Sequence, residues 1–321
     1  NIFDLYFRFM PVIVSLLFGL AVYAVSSVFT KNLFFRALAV FLGYYSGNFA
    51  YLVPLFLKKS FDWKGNTFFA DQPFDQIINP YSVFGFVLML YGIYCLSQII
   101  QAKKNFSWGY SIVGGLLFGI LYGFKSFGGV IAIAALVVTT FLQFIFYRKL
   151  ILLPITIFSL ILFGLIFFLT TDPGSASLIW APGWLLTQMM TDKDKLNLPH
   201  FADLEAFYSL SSNKIGLLKI KTIELLIYMI GNLGTRIVGL VFLLYILFIT
   251  HVRERKYIMQ FIGIIIFTSL TIPLFFNLKN STFNVIQFTP YSLVLLALIS
   301  VYFLEIIYKY FSIKGKKIIG V

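Results

Sequence analysis

Apolar runs long enough to cross a lipid bilayer recur along nearly the whole chain, and this limits its folds more than any other feature. A helical crossing takes about 20 predominantly apolar residues to cover about 30 Å of hydrocarbon. By that ruler, nine candidate spans lie near 9–29, 33–57, 82–101, 109–124, 126–147, 150–171, 222–250, 257–276 and 289–308. The run at 109–124 is short. The run at 222–250 is too long for one straight crossing, so it is expected to begin as an interfacial helix and enter the bilayer near Gly231. Hydrophobic residues make up 60% of the chain and charged residues 12%, about half the charged share of a soluble domain. With no water in the hydrocarbon, each span must satisfy its own backbone, which selects helices. The expectation is an all-α, polytopic transmembrane helical bundle. It forms a single integral membrane domain over 1–321, with interfacial helices in its extracytoplasmic loops.

The formal net charge is +13. In a soluble protein, such a balance would point to nucleic acid. Here the basic residues sit in short clusters between apolar runs, as membrane topology requires, and no soluble segment carries a basic stripe with interleaved aromatics. Nucleic-acid binding is excluded. Lys31 and Arg36, Lys103 and Lys104, Arg148 and Lys149, Arg253 with Arg255 and Lys256, and Lys309 with Lys314, Lys316 and Lys317 mark every second connection. Those connections are expected to face the cytoplasm of the cell membrane, which puts Asn1 outside and the carboxyl end inside. Residues 58–81, 171–221 and 277–288 are then extracytoplasmic. An amino end outside implies a further helix and a first outer loop upstream of Asn1, so the chain reads as amino-terminally truncated.

Within the outer connections, 68-FFADQPFDQIINPY-81 is a polar island between hydrophobic runs. It is either a wet connector or the floor of a working site. Asp62, Asp71 and Asp75 are the carboxylates of this loop and the candidate catalytic bases, since a base must reach the hydroxyl whose proton it takes. Each also fits a solvated turn former. Asn79-Pro80 reads as the start of a helix. The stretch 178-LIWAPGWLLTQMM-190, broken by Pro182 and Gly183, reads as an interfacial or re-entrant hairpin.

Ionisable residues at membrane depth are functional suspects. Arg236, in 231-GNLGTRIVGL-240 beside Asn232, is the deepest. Lys125 sits in the tight turn 122-YGFKSFGG-129, and Arg8 precedes the first span. Together they are candidates for gripping an anionic lipid phosphate, which a guanidinium matches with two parallel hydrogen bonds. Arg8 and Lys125 also fit snorkelling to the interface, and Arg236 fits an interhelical pair with Glu224. In 113-VGGLLFG-119, the glycines have the small-residue spacing of close helix packing. Cys95 is the only cysteine, so no intrachain disulfide forms. His200 and His251 lack Cys or His neighbours at ligand spacing, so no histidine metal site is expected.

In its spans and loop order, the chain resembles the GT-C class of polytopic membrane glycosyltransferases. The resemblance rests on 8-RFMPVIVSLLFGLAVYAVSSVFTKN-32, 41-FLGYYSGNFAYLVPLF-56, 72-QPFDQIINPYSVFGFVL-88, 115-GLLFGILYGFKSFGGVIAI-133 and 277-NLKNSTFNVIQFTPYSLVLLAL-298. It implies transfer of a sugar from a polyprenyl-phosphate carrier to an acceptor outside the cytoplasmic membrane. The partners would be a lipid-linked sugar and membrane lipids. No organic cofactor is implied, and a divalent metal is left open. The resemblance places the class's main catalytic acid in a first outer loop upstream of residue 1, so that role is carried onto no residue here. A transporter or lipid flippase, or a polysaccharide ligase or polymerase, is the alternative reading. A transporter would be expected to show repeated halves with broken helices at mid-membrane, and no internal repeat is evident.

Overall fold

A computed structural model describes residues 2–56, 67–70, 72–73, 75–102, 107–171, 178–249, 253–279 and 281–319. The helices, in chain order, are α1 (Ile2–Phe29), α2 (Leu33–Tyr45), α3 (Val53–Phe56), α4 (Pro80–Gln101), α5 (Trp108–Phe124), α6 (Ser126–Tyr147), α7 (Leu153–Thr170), α8 (Trp184–Thr191), α9 (His200–Leu210), α10 (Lys214–Leu233), α11 (Ile237–Ile249), α12 (Arg253–Phe275) and α13 (Thr289–Ile319). Two short strands, β1 (Leu178–Trp180) and β2 (Phe276–Leu278), pair antiparallel with Ile179 opposite Asn277. The protein is an all-α, multi-pass helical bundle.

Among the described residues, seven helical stretches are long and apolar enough to cross a membrane, and two apolar helices, α2 and α5, are shorter. The expected nine spans are corrected in two places. The run 33–57 is not one crossing: α2 stops at Tyr45, and the chain turns through 46–49 into the 3₁₀ turn Ala50–Leu52 and α3. Gly47 and Asn48 are poor helix formers, and a tertiary contact uses the Ser46 carbonyl. The run 222–250 extends instead from Lys214 to Phe248. It breaks at Gly234, where φ is +55°, three residues beyond the expected bend. A Cβ there would lie 2.2 Å from the Gly47 carbonyl oxygen, so only glycine allows this approach.

α4 and α13 form the centre of the bundle, with 72% and 67% of their apolar windows buried, whereas α7 buries 17% and presents Phe168 and Leu169 outward. Such exposure suits lipid, which is as apolar as the side chains. α7 is nevertheless held tightly against α5. Cβ atoms at Gly115 and Gly119 would meet the Phe158 and Leu162 Cβ atoms at 2.6 and 2.5 Å, as the glycine spacing leads one to expect. α4 begins at Asn79-Pro80, with the Asn79 side chain accepting from the Ser82 amide.

The helices alternate in direction, so the connections gather at two ends. Among the described residues, one end, the loop-rich end, carries 46–56, 67–70, 72–73, 75–79, Lys125, 178–213, 276–279 and 281–288. There 178–191 forms a strand, a turn and a helix rather than a hairpin re-entering the bundle. β1 pairs with β2, Gly183 takes φ +76°, and the Trp184 indole donates to the Phe276 carbonyl at 2.9 Å. Leu185, Leu186, Met189 and Met190 of α8 are buried.

Replacing Gly119 by leucine is expected to separate α5 from α7 and destabilise the bundle by about 1–3 kcal/mol, the usual cost of overpacking. Gly164→Leu, where a Cβ meets nothing within 4 Å, should stay within about 0.5 kcal/mol. Thermal unfolding of both variants in detergent checks the contrast.

Candidate functional site

Four polar side chains lie at four-residue intervals along α10 and the 3₁₀ turn that follows it. Glu224, Tyr228, Asn232 and Arg236 are each no more than 1% exposed. Residues four apart stack on one helix face, and this face is buried against segments of the loop-rich end. Asn232 donates from Nδ2 to the Tyr228 carbonyl at 2.8 Å and accepts from the Ala70 amide at 3.0 Å. Arg236 donates from Nη1 to Gln72 Oε1 at 2.7 Å and from Nη2 to the Ser46 carbonyl. Its Nε has no partner among the described residues. Gln72 Nε2 in turn donates to the Ala70 carbonyl at 3.0 Å. Phe68 fills the space a Cβ on Gly231 would need, and the Phe49 amide donates to the Gly231 carbonyl at 2.9 Å. The start of the polar island is thus fastened to α10, not left wet.

This geometry changes the reading of Arg236. Each terminal nitrogen of its guanidinium gives a hydrogen bond to protein, so Arg236 holds segments 46–49 and Gln72 to the turn after α10. Asn232 is likewise engaged on both sides of its amide. Arg236 does not pair with Glu224, whose partner is Lys221.

A second cluster, at the Glu224 end of the same face, joins three helices. Lys221 Nζ from α10 donates to Thr187 Oγ1 of α8 at 2.7 Å, to Glu224 Oε2 at 3.0 Å, and to Glu205 of α9. Thr187 donates to Glu205 Oε1 at 3.3 Å. The side chains of Lys221, Glu205 and Glu224 are 29%, 18% and 0% exposed, so the cluster runs from the surface to full burial. Glu224 Oε1 is buried without a hydrogen-bond partner among the described residues. Burial works against ionisation of Glu205. The hydrogen bond from the Glu224 carboxyl, the hydrogen bond and charge of Lys221, and the Thr187 hydroxyl outweigh it, holding Glu205 below the usual carboxylate range. In the sequence, only the three-residue spacing of Lys221 and Glu224 hinted at this arrangement. Glu205 and Thr187 reach it through the packing of α8 and α9.

The other candidates lie apart. Asp75 is exposed in the 3₁₀ turn Asp75–Ile78 and accepts from the Gln72 amide at 3.2 Å, the behaviour of a turn former. Asp62 and Asp71 lie outside the described residues, as does His251. Arg8 is exposed on α1. Lys125 is half-buried between α5 and α6, where Gly85 lets its Cβ and the Tyr291 hydroxyl close in on α4. His200 opens α9 against the Phe201 ring. Among the described residues, no three His, Cys, Asp or Glu side chains are grouped to hold a metal ion, and the Lys221 ammonium already takes the cation position between the two glutamates.

No protein family, curated protein or solved structure matches this chain.

Arg236→Ala would leave Gln72 Oε1 and the Ser46 carbonyl without their donor, at about 1–3 kcal/mol for each buried group. We expect a clear loss of thermal stability, partly restored in Arg236→Lys, and faster proteolysis around residues 67–79. The cluster should also make docking of α9 pH-dependent. Because the folded-state pKa of Glu205 is depressed, its contribution is present in full above the unfolded carboxylate value, about 4.3. It is lost as pH falls through the lower folded value. Hydrogen exchange in α9 should therefore stay slow near neutral pH and speed up in acid, and Glu205→Gln should remove that dependence.

Proposed function

We propose that the chain transfers a sugar from a polyprenyl-phosphate carrier to a hydroxyl-bearing acceptor on the extracytoplasmic face of the cytoplasmic membrane. The basic connections then lie in the cytoplasm, Asn1 and the loop-rich end lie outside, and the carboxyl end lies inside. One observation carries the reading. The buried polar face from Glu224 to Arg236, with Lys221 beside it, gathers Ser46, Ala70, Gln72, Thr187 and Glu205 into one polar region at the end of the bundle. A carrier whose chain lies in lipid and whose phosphate lies at the interface needs a polar working surface at that depth. The resemblance of the spans and loops to the GT-C class supports the same chemistry.

In this reaction the acceptor oxygen attacks the anomeric carbon as the carrier phosphate departs. Negative charge grows on the leaving phosphate, and a fixed cation nearby stabilises it. Lys125, half-buried at the turn between α5 and α6, takes that part here. Asp75, exposed in its 3₁₀ turn, lies on the acceptor side.

The test uses the full chain in liposomes, with undecaprenyl phosphate bearing a radiolabelled hexose as donor and a serine peptide or a lipid-linked oligosaccharide as acceptor. Label is expected to pass to an acceptor, and Lys125→Ala to slow transfer about tenfold, the order of one lost charge contact. If the wild type moves no label to either acceptor, the reading fails.

A further inference from the structure

Two carboxylates in contact cannot both stay ionised at no cost, because like charges at that range share a proton instead. Glu205 and Glu224 stand in this relation, brought together by Lys221 Nζ, which donates to both. The set is open on one side, through Glu205, and dry on the other. On the dry side, Glu224 Oε1 has no hydrogen-bond partner among the described residues. A buried carboxylate oxygen without a donor is costly, and an incoming hydroxyl would supply one. Gly183, in its left-handed turn, leaves space beside the amine: a Cβ there would stand 3.6 Å from Lys221 Nζ. Among the described residues, the groups facing the pair are the hydroxyl of Thr187 from α8, the glutamates themselves, and Lys221 from α10.

We propose that Glu205 and Glu224 act as one proton-accepting unit for the acceptor hydroxyl, with Lys221 and Thr187 as positioning residues. The proposal rests on the sugar-transfer reading above and adds to it the base. The acceptor O–H gives its proton to the carboxylate pair. Its oxygen forms a bond to the anomeric carbon, and the bond from that carbon to the phosphate oxygen breaks with its electron pair on the phosphate. The proton then leaves to water through Glu205, the exposed member. Pairs of this kind titrate as a unit, so removing one carboxylate changes the proton affinity of the other.

The experiment uses the full chain in liposomes with the donor and acceptors named above. Glu224→Gln and Glu205→Gln are each expected to slow transfer at least about 100-fold, the lower end for loss of a general base. Glu205→Asp, which keeps a carboxylate, should retain part of the rate. Lys221→Met should move the acidic limb of the pH profile of kcat/KM to higher pH, because its charge no longer favours the ionised pair. A purely structural cluster would lower activity without moving that limb. If the wild type transfers label and both glutamine variants stay within threefold of it, or the acidic limb of Lys221→Met does not move, this proposal falls and the sugar-transfer reading stands. A wild type that transfers nothing overturns both.

Discussion

Hydrocarbon offers no hydrogen bonds, so a charge carried into this bundle must find all its partners in the protein. The structure around α10 follows from that demand. Arg236 is buried to 1% exposure, and its bonds to Gln72 and Ser46 fix the break after α2 and draw the polar island inward. The Gly234 kink, Gly47 and the α2 terminus form one arrangement, because the backbone passes too closely there for any side chain. The apolar core can be built from many side chains of about the right volume. This junction cannot.

At the other end of the same face, the demand is met differently. Lys221 lies between two carboxylates from different helices, and a threonine completes its coordination. This ties α8 and α9 to the long helix beneath them. α9 has no buried residue at all, so its position depends on Glu205 and on packing at the turn into α10. There, Gly216 takes the Tyr208 ring where a Cβ would otherwise sit.

The spans were legible in the sequence because their apolar length is a direct physical requirement, and the packing of α5 on α7 was legible because glycines at that spacing leave few other uses. The turn at Lys125 and the Asn79-Pro80 start were legible for similar local reasons. The break within 33–57 was not. Hydropathy counts Ser46, Gly47 and Asn48 as tolerable in a long apolar run, and the arginine that takes the Ser46 carbonyl at the break lies 190 positions later. The site was legible only in its parts. Arg236 and Asn232 stood out as buried polar residues, but whether such residues hold a ligand or hold the fold depends on who their partners are. The glutamate pair escaped notice because its members come from separate helices and meet only once α8 and α9 have packed.

The fastenings of the polar island also set an order of events. Ala70, Gln72 and Ser46 find their partners at Asn232 and Arg236, 162 to 190 residues further on. While the chain is being made, the first third of the bundle therefore enters the membrane with its loops unlatched, and it stays adjustable until α10 emerges and locks it from behind.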